Sequence, residues 1–565
     1  MDKDLMLFKL IFVFKFADPR FFIYVCNVKK QIKIMQEKML LGDELIAQAA
    51  IDAGISGIYA YPGTPSTEIM EYVQASSEAR EKGIHSVWSA NEKTAMEAAI
   101  GMSYCGKRAM VCMKHVGLNV AADAFINSAI TGANGGMVVV VADDPSMHSS
   151  QNEQDSRFYG KFAMLPFLEP SNQQEAYDMV FFGFELSEKF GVPVLMRITT
   201  RMAHSRTTVS HRAKEPQKQI RLPADPRQFV LLPAIARQRY KKLLAQQTEF
   251  EQSALSSGFN RLIDGQDKSL GIIACGLAFN YLMENYSGGH CPYPVIKISQ
   301  YPVSESLVKQ LTDQCSTILV LEDGYPFIEE QLKGLIPNQA FKIRGRLDGA
   351  VPRDGELNPD IVARALGFPQ PNIAAVPDVV VNRPPALCKG CGHIDMYLAL
   401  NEALQDHTPG RVFSDIGCYT LGALPPYSTI NSCVDMGASI TMAKGASDAG
   451  LFPAVAVIGD STFTHSGITG LLDVIVENAP VTVVISDNLT TGMTGGQQSS
   501  AYGLIEKIVL GLGLPENRLK VLTPLKKYHA ENVEIIREAL QFKGTSVIVF
   551  RRECVQTAAR RVRNK

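Results

Sequence analysis

What this chain of 565 residues lacks narrows its class. No charge of one sign prevails: 56 Lys and Arg stand against 57 Asp and Glu, so nothing draws it to nucleic acid or to a charged membrane surface. Its two Phe-rich runs, Leu5 to Phe14 and Phe21 to Cys26, are too short to cross a bilayer. The 11 cysteines are odd in number, unevenly spread and without a disulfide-like framework, which points to a reducing, cytoplasmic setting. There is no low-complexity tract and no internal repeat visible by eye. The length suits three or four domains, each able to bury its own core.

The first 34 residues differ from the rest. Their apolar runs are broken by Lys9, Lys15 and Asp18-Pro19-Arg20, and no small-residue cleavage pattern follows. The expectation is that residues 1–38 form an atypical extension outside the working fold, with Met35 or Met39 as the truer start. The rival is a membrane-associating arm.

From Leu40 the pattern alternates strand and helix. Gly57 to Tyr61, Arg108 to Met113, Gly136 to Ala142 and Val192 to Ile198 read as buried strands of an open parallel sheet. The whole is expected to be α/β, with several doubly wound parallel-sheet domains. Residues 39–204 form the first and 205–267 a polar, Arg/Lys/Gln-rich connection with one surface helix. Residues 268–368 form a smaller α/β unit with strands at Gly271 to Cys275 and Thr317 to Leu321. A Pro-rich linker spans 369–386, and 387–565 is a last α/β domain. The basic stretch from Arg551 to Lys565 reads as a solvated tail.

Chemistry first shows near the C-terminal end. The apolar run Pro453 to Ile458 stops at Gly459-Asp460-Ser461, and Asn488 follows Asp460 by 28 positions at the mouth of a second apolar run, Val481 to Ile485. Ile468, Leu471, Leu472 and Ile475 repeat at helical spacing between them. Two strand ends bearing oxygen ligands suit a magnesium ion that bridges a diphosphate. Asp460 and Asn488 supply two ligands, and the Thr490 carbonyl could be a third. The spacing resembles the thiamine diphosphate signature, with Ser461 where many members have Gly. Gly-Asp after a strand is also a common turn.

Thiamine further requires a carboxylic acid against its aminopyrimidine ring. Glu92, in Asn91-Glu92-Lys93 at a helix start, is the candidate; its structural alternative is a first-turn acid favoured by the helix dipole. Around it stand Tyr61-Pro62-Gly63-Thr64-Pro65-Ser66, Lys114-His115-Val116-Gly117-Leu118-Asn119, Ala142-Asp143-Asp144-Pro145 and Ser149 to Arg157. Together with Gly459 to Gly467, Asp487-Asn488 and Thr491 to Gln497, these runs resemble the indolepyruvate ferredoxin oxidoreductase alpha subunit family from about Leu40 to Cys554. The resemblance implies thiamine-binding domains of pyrimidine type (39–204) and diphosphate type (387–565), with a transketolase C-terminal-like unit at 268–368. It implies that Glu92 contacts the aminopyrimidine and that Asp460 and Asn488, with Thr490, hold magnesium in the cofactor-binding turn Gly459-Asp460-Ser461. Thr64 corresponds to a threonine that contacts substrate or cofactor. Lys114, His115 and His465 lie in the motifs without an assigned role.

Cys388-Lys389-Gly390-Cys391 follows the Pro-rich linker, where a cluster or zinc site often sits. With Cys418 and Cys554 it resembles the four-cysteine set that holds a [4Fe-4S] cluster beside thiamine in pyruvate-oxidising relatives. A zinc site, replacement of one ligand by Cys433, and a merely buried Cys554 are the alternatives. The family's Cys-Pro-Gly-Cys-Pro-His stands here as Cys388 to His393 with an altered loop, and no ferredoxin-like C-x-x-C-x-x-C run follows. The implied function is the large subunit of an enzyme that oxidatively decarboxylates arylpyruvates (indolepyruvate, phenylpyruvate) with coenzyme A. Its implied partners are a smaller beta subunit and ferredoxin or another electron acceptor. The rivals are a non-oxidative thiamine decarboxylase and a non-catalytic thiamine-binding subunit.

Overall fold

The computed structural model describes residues 39–335, 341–369, 375–381 and 385–563. The N-terminal extension expected at 1–38 lies outside the described residues. Two large sheets dominate. In the first, the six strands from the N-terminal part lie in the spatial order His85–Trp88, Gly57–Ala60, Ala109–Lys114, Met137–Asp143, Val194–Thr199, Phe167–Leu168, all parallel. In the second, the order is Ser432–Cys433, Val412–Ser414, Ala454–Gly459, Val481–Asp487, Ser546–Arg551, Leu519–Leu522, again all parallel. Ranked along the chain, both read 2-1-3-4-6-5. The architecture is the α/β one expected, and the two large lobes repeat one strand order.

The central strands are mostly apolar because helices cover both faces. Every residue of Met137–Asp143 and of Ala454–Gly459 is buried. In the second sheet the alternation is visible as two separate cores: Val455, Val457 and Ile548 pack on one face, Ala454, Ala456, Ile458 and Val547 on the other. Each fully buried Val or Ile contributes roughly 1.5–3 kcal/mol.

A five-stranded sheet of Lys342–Arg344, Thr317–Leu321, Gly271–Cys275, Val295–Ile298 and Arg261–Ile263 makes the smaller unit. It is tied to the first lobe twice. Gln300–Tyr301 adds an antiparallel edge strand beside Phe167–Leu168, and one continuous apolar cluster runs from Leu40 to Ala365. Between them lies a buried charge cluster. Arg157 donates to Asp155 and to Glu322 (2.9 Å), and Arg197 donates to Asp143 (2.6 Å), to Glu169 and to the Asp323 carbonyl (2.8 Å).

The connection at 205–267 is more integrated than its polar composition implies. Arg206–Thr207 pairs with Leu40–Leu41, and the Glu215 and Arg221 amides donate to the carbonyls of Asp52 and Cys105. Pro233–Ser256 is the surface helix, with Pro at its start and Leu243 and Phe250 buried two turns apart. Arg261–Ile263 is a strand of the small sheet, not linker. The basic C-terminal stretch is anchored at its start and solvated beyond, for the helix Val555–Arg563 has no buried residue. Arg551 pairs with Asp487 (2.6 Å) and Glu506 (2.7 Å), and Val555–Arg563 is a helix whose Arg560 donates to the Gly495 carbonyl.

Candidate active site

In a doubly wound sheet, ligands bind beyond the carboxyl ends of strands where the order reverses. In the first lobe that point lies between Gly57–Ala60 and Ala109–Lys114; in the second it lies between Val412–Ser414 and Ala454–Gly459. The residues following these four strands face one cleft. Its empty space is about 950 Å³, and it is lined by Thr64, Glu92 and Lys114 from one lobe and by Gly459, Asp460, Ser461, Asn488 and Thr490 from the other. The structure thus brings together every residue expected to touch thiamine or magnesium.

Glu92 is the first residue of the helix Glu92–Tyr104, entered through Asn91, whose side chain accepts from the Thr94 amide at 2.8 Å. The carboxylate is buried, and its Oε2 lies 2.8 Å from His465 Nε2 on the other lobe. Three further contacts fix this pair. Asn91 Nδ2 donates to the His465 carbonyl (2.8 Å), His465 Nδ1 meets Ser466 Oγ (2.6 Å), and the Tyr61 ring stands edge-on to the imidazole at 4.7 Å. Gly117 makes room: a Cβ there would fall 2.5 Å from Glu92 Oε1. A hydroxyl chain from Tyr61 to Ser461 (2.8 Å) to Thr491 (2.9 Å) closes the seam between the lobes.

Asp460 opens the helical segment after Ala454–Gly459, which passes through one π-helical turn, Phe463–Gly467, before Ile468–Val476. Such turns are common at functional sites. In that last helix Leu471 is buried, whereas Leu472, counted with the apolar face in the sequence, is exposed. Asp460 Oδ2 is buried without a hydrogen-bond partner. Burial, then the charge of Asp487, pushes its carboxyl up to about 7. An unsatisfied buried carboxylate oxygen beside a second acid is the environment a cation relieves. Asn488 follows the strand Val481–Asp487, and Leu489 after it has φ 64°, a left-handed turn that costs a Leu about 1–2 kcal/mol. That turn leads into the short hairpin that carries Thr490.

Lys114 had no role assigned from sequence. It lines the same cleft, its Nζ donates to the Ser149 carbonyl at 2.6 Å, and burial lowers its ammonium to about 8. His115 sits behind it, its Nε2 3.3 Å from Asn152 Oδ1 and its Nδ1 unpartnered.

Cys388, Cys391, Cys418 and Cys554 converge on a second cavity of about 630 Å³, which shares Cys418, Asn488 and Gly492 with the cleft. Gly492 is the partition, since a Cβ there would lie 3.1 Å from Cys418 Sγ. Burial, and then Cys391, Cys554 and Cys388, push the Cys418 thiol up to about 12. Four thiols that line one cavity are a donor set that could hold a metal centre. Tetrahedral zinc, with Zn–S near 2.3 Å, draws its sulfurs to about 3.8 Å apart. Among the described residues no three of these sulfurs lie within 4.8 Å of one another, so they stand wider than that spacing. Cys433 lies elsewhere, its thiol 3.5 Å from the Asp415 carbonyl.

Residues 48–249 match the thiamine diphosphate-binding family of pyruvate flavodoxin/ferredoxin oxidoreductases, and 415–550 match the C-terminal TPP-binding domain of thiamine pyrophosphate enzymes. The chain is 38% identical to indolepyruvate oxidoreductase subunit IorA of Archaeoglobus fulgidus, covering 92% of this chain and 86% of that protein. It is 38% identical to the same subunit of Methanothermobacter thermautotrophicus (91% and 86% covered) and 37% identical to that of Pyrococcus abyssi (91% and 85% covered). No helix among the described residues is long and apolar enough to cross a membrane. With two thiamine-binding lobes meeting at one cleft, and these relatives matched over most of their length, the chain belongs to the indolepyruvate oxidoreductase subunit IorA family and is an oxidoreductase subunit.

Proposed function

We propose that this chain is the large subunit of an enzyme that oxidatively decarboxylates arylpyruvates with coenzyme A and passes the electrons to ferredoxin or a similar carrier. A smaller subunit completes it, in the cytoplasm. One observation supports this above the rest: Glu92 and Asp460 open on a single cleft whose wall, at Cys418 and Gly492, is also the wall of the four-cysteine cavity.

In this reading residues 39–204 receive the pyrimidine end of thiamine diphosphate and 387–565 its diphosphate. Asp460, Asn488 and Thr490 hold the magnesium ion, and Gly459 and Ser461 shape the turn around it. Bound thiamine supplies the carbon nucleophile and the electron sink that decarboxylation requires. Glu92 would hold and exchange a proton at the aminopyrimidine end of bound thiamine. His465 Nε2, 2.8 Å from the same carboxylate, orients it from the far lobe. Lys114 places a cationic donor in the cleft for an anionic substrate, and Thr64 offers a hydroxyl there. Cys388, Cys391, Cys418 and Cys554 would hold a [4Fe-4S] cluster, which would supply a one-electron exit for the reaction.

The test is anaerobic purification with the partner subunit, followed by iron and sulfide counts and a 2-oxoacid panel with coenzyme A. Arylpyruvate-dependent acceptor reduction by an iron-containing complex is expected. Aldehyde release by a colourless protein would replace this reading with a non-oxidative decarboxylase. Glu92→Gln should lose turnover by orders of magnitude and keep the cofactor. A non-catalytic subunit would be indifferent to it.

A further inference from the structure

Away from the cleft, three helices bring Asp43, Glu68 and His204 together. Asp43 is the second residue of Gly42–Asp52, Glu68 the second of Thr67–Ala75, and His204 the last of Thr200–His204. One ligand atom from each lies within 4.8 Å of the other two. Glu68 Oε1 is 3.8 Å from His204 Nε2. Asp43 is fully buried, and neither of its carboxylate oxygens has a hydrogen-bond partner; Glu68 Oε2 is also buried and unpartnered. No Lys or Arg among the described residues forms an ion pair with Asp43. The nearby acid Glu44 is already engaged by the Leu41 amide at 2.8 Å.

A buried carboxyl group with two unsatisfied oxygens costs several kcal/mol unless a proton or a cation joins it. A proton serves one oxygen of one acid. Three orphan oxygens and an imidazole converging from separate helices are a ligand set. We propose that Asp43, Glu68 and His204 form a binding site for a borderline divalent cation of the zinc class. Two carboxylates and one imidazole suit zinc or manganese, whereas magnesium and calcium favour all-oxygen shells. His204 and Glu68 are about one-third exposed, so the ion has a path in and room for water ligands.

The ion would brace the thiamine cleft without entering it. Glu68 lies one residue past Thr67, whose hydroxyl accepts from the Gly63 amide at 3.1 Å in the turn that carries Thr64. Tying that helix to two others would steady the turn. The inference does not depend on the reaction proposed above.

The test uses the full chain with its partner subunit, stripped by chelator and resaturated with magnesium and thiamine diphosphate. Zinc is then titrated against a chromophoric chelator, with manganese as competitor. Wild type should take up one more zinc equivalent than His204→Ala and Asp43→Asn, or bind that equivalent at least about tenfold more tightly. Zinc should also raise the melting temperature of wild type more than that of either variant. Zinc held by cysteines is common to all three proteins and cancels. His204 is exposed enough for its variant to fold even where Asp43→Asn does not. Equal stoichiometry and affinity in wild type and His204→Ala would overturn the site and leave Asp43 as a buried neutral acid.

Discussion

Glu92 lines the cleft with close neighbours on two sides. Its freedom is set by Gly117 on one side and His465 on the other. Gly117→Ala should therefore push the carboxylate off the pyrimidine position and lower kcat by about 100-fold, with a much smaller effect on thiamine affinity. Steady-state kinetics beside a cofactor titration would check it. The strand-end placing of Asp460 and Asn488 was legible in the sequence, and Glu92 came forward only through the family resemblance; the structure puts all three on one cleft. The role of His465 was not. It partners a residue 373 positions away, and no local pattern records a contact across two lobes.

At the scale of elements, the strands could be read because a fully covered sheet demands unbroken apolar runs. The arm at 205–225 could not, since its bonds run to carbonyls far off in the sequence. The buried charge cluster between the first and small sheets was equally invisible, and it is unbalanced. Arg157, Arg197 and Arg346 face Asp143, Asp155, Glu169, Glu322 and Asp323. Burial pushes Asp323 up to about 6, and its Oδ2 has no partner, while Oδ1 accepts from the Leu357 amide at 3.1 Å. A folded-state pKa above the ordinary 3.8 means that this acid's contribution is fully present below that value and is lost as pH rises through about 6. Asp323→Asn keeps the acceptor and removes the titration. It should be more stable than wild type at pH 8 by about 2 kcal/mol, with the gap shrinking at pH 5. Thermal melts of both proteins at the two pH values would show it.

At the scale of the molecule, the four cysteines come from three separate stretches of the last lobe and meet only once the sheet is built. Spacing alone offered the Cys388/Cys391 pair. Cys418 and Cys554 came from resemblance, and the coordinates put all four on one cavity that Cys433 does not line. Cys418→Ser should lower bound iron and abolish acceptor reduction while thiamine binding persists, as iron analysis and cofactor fluorescence would report.

The two large sheets share the order 2-1-3-4-6-5, so their third strands end at the same cleft. Lys114 ends the third strand of one sheet, and Asp460 directly follows the third strand of the other. Positions one residue apart in the two frames therefore present a cation and an anion to the same cleft. One strand order, used twice in the chain, thus serves two different chemical tasks through what stands at a strand's end.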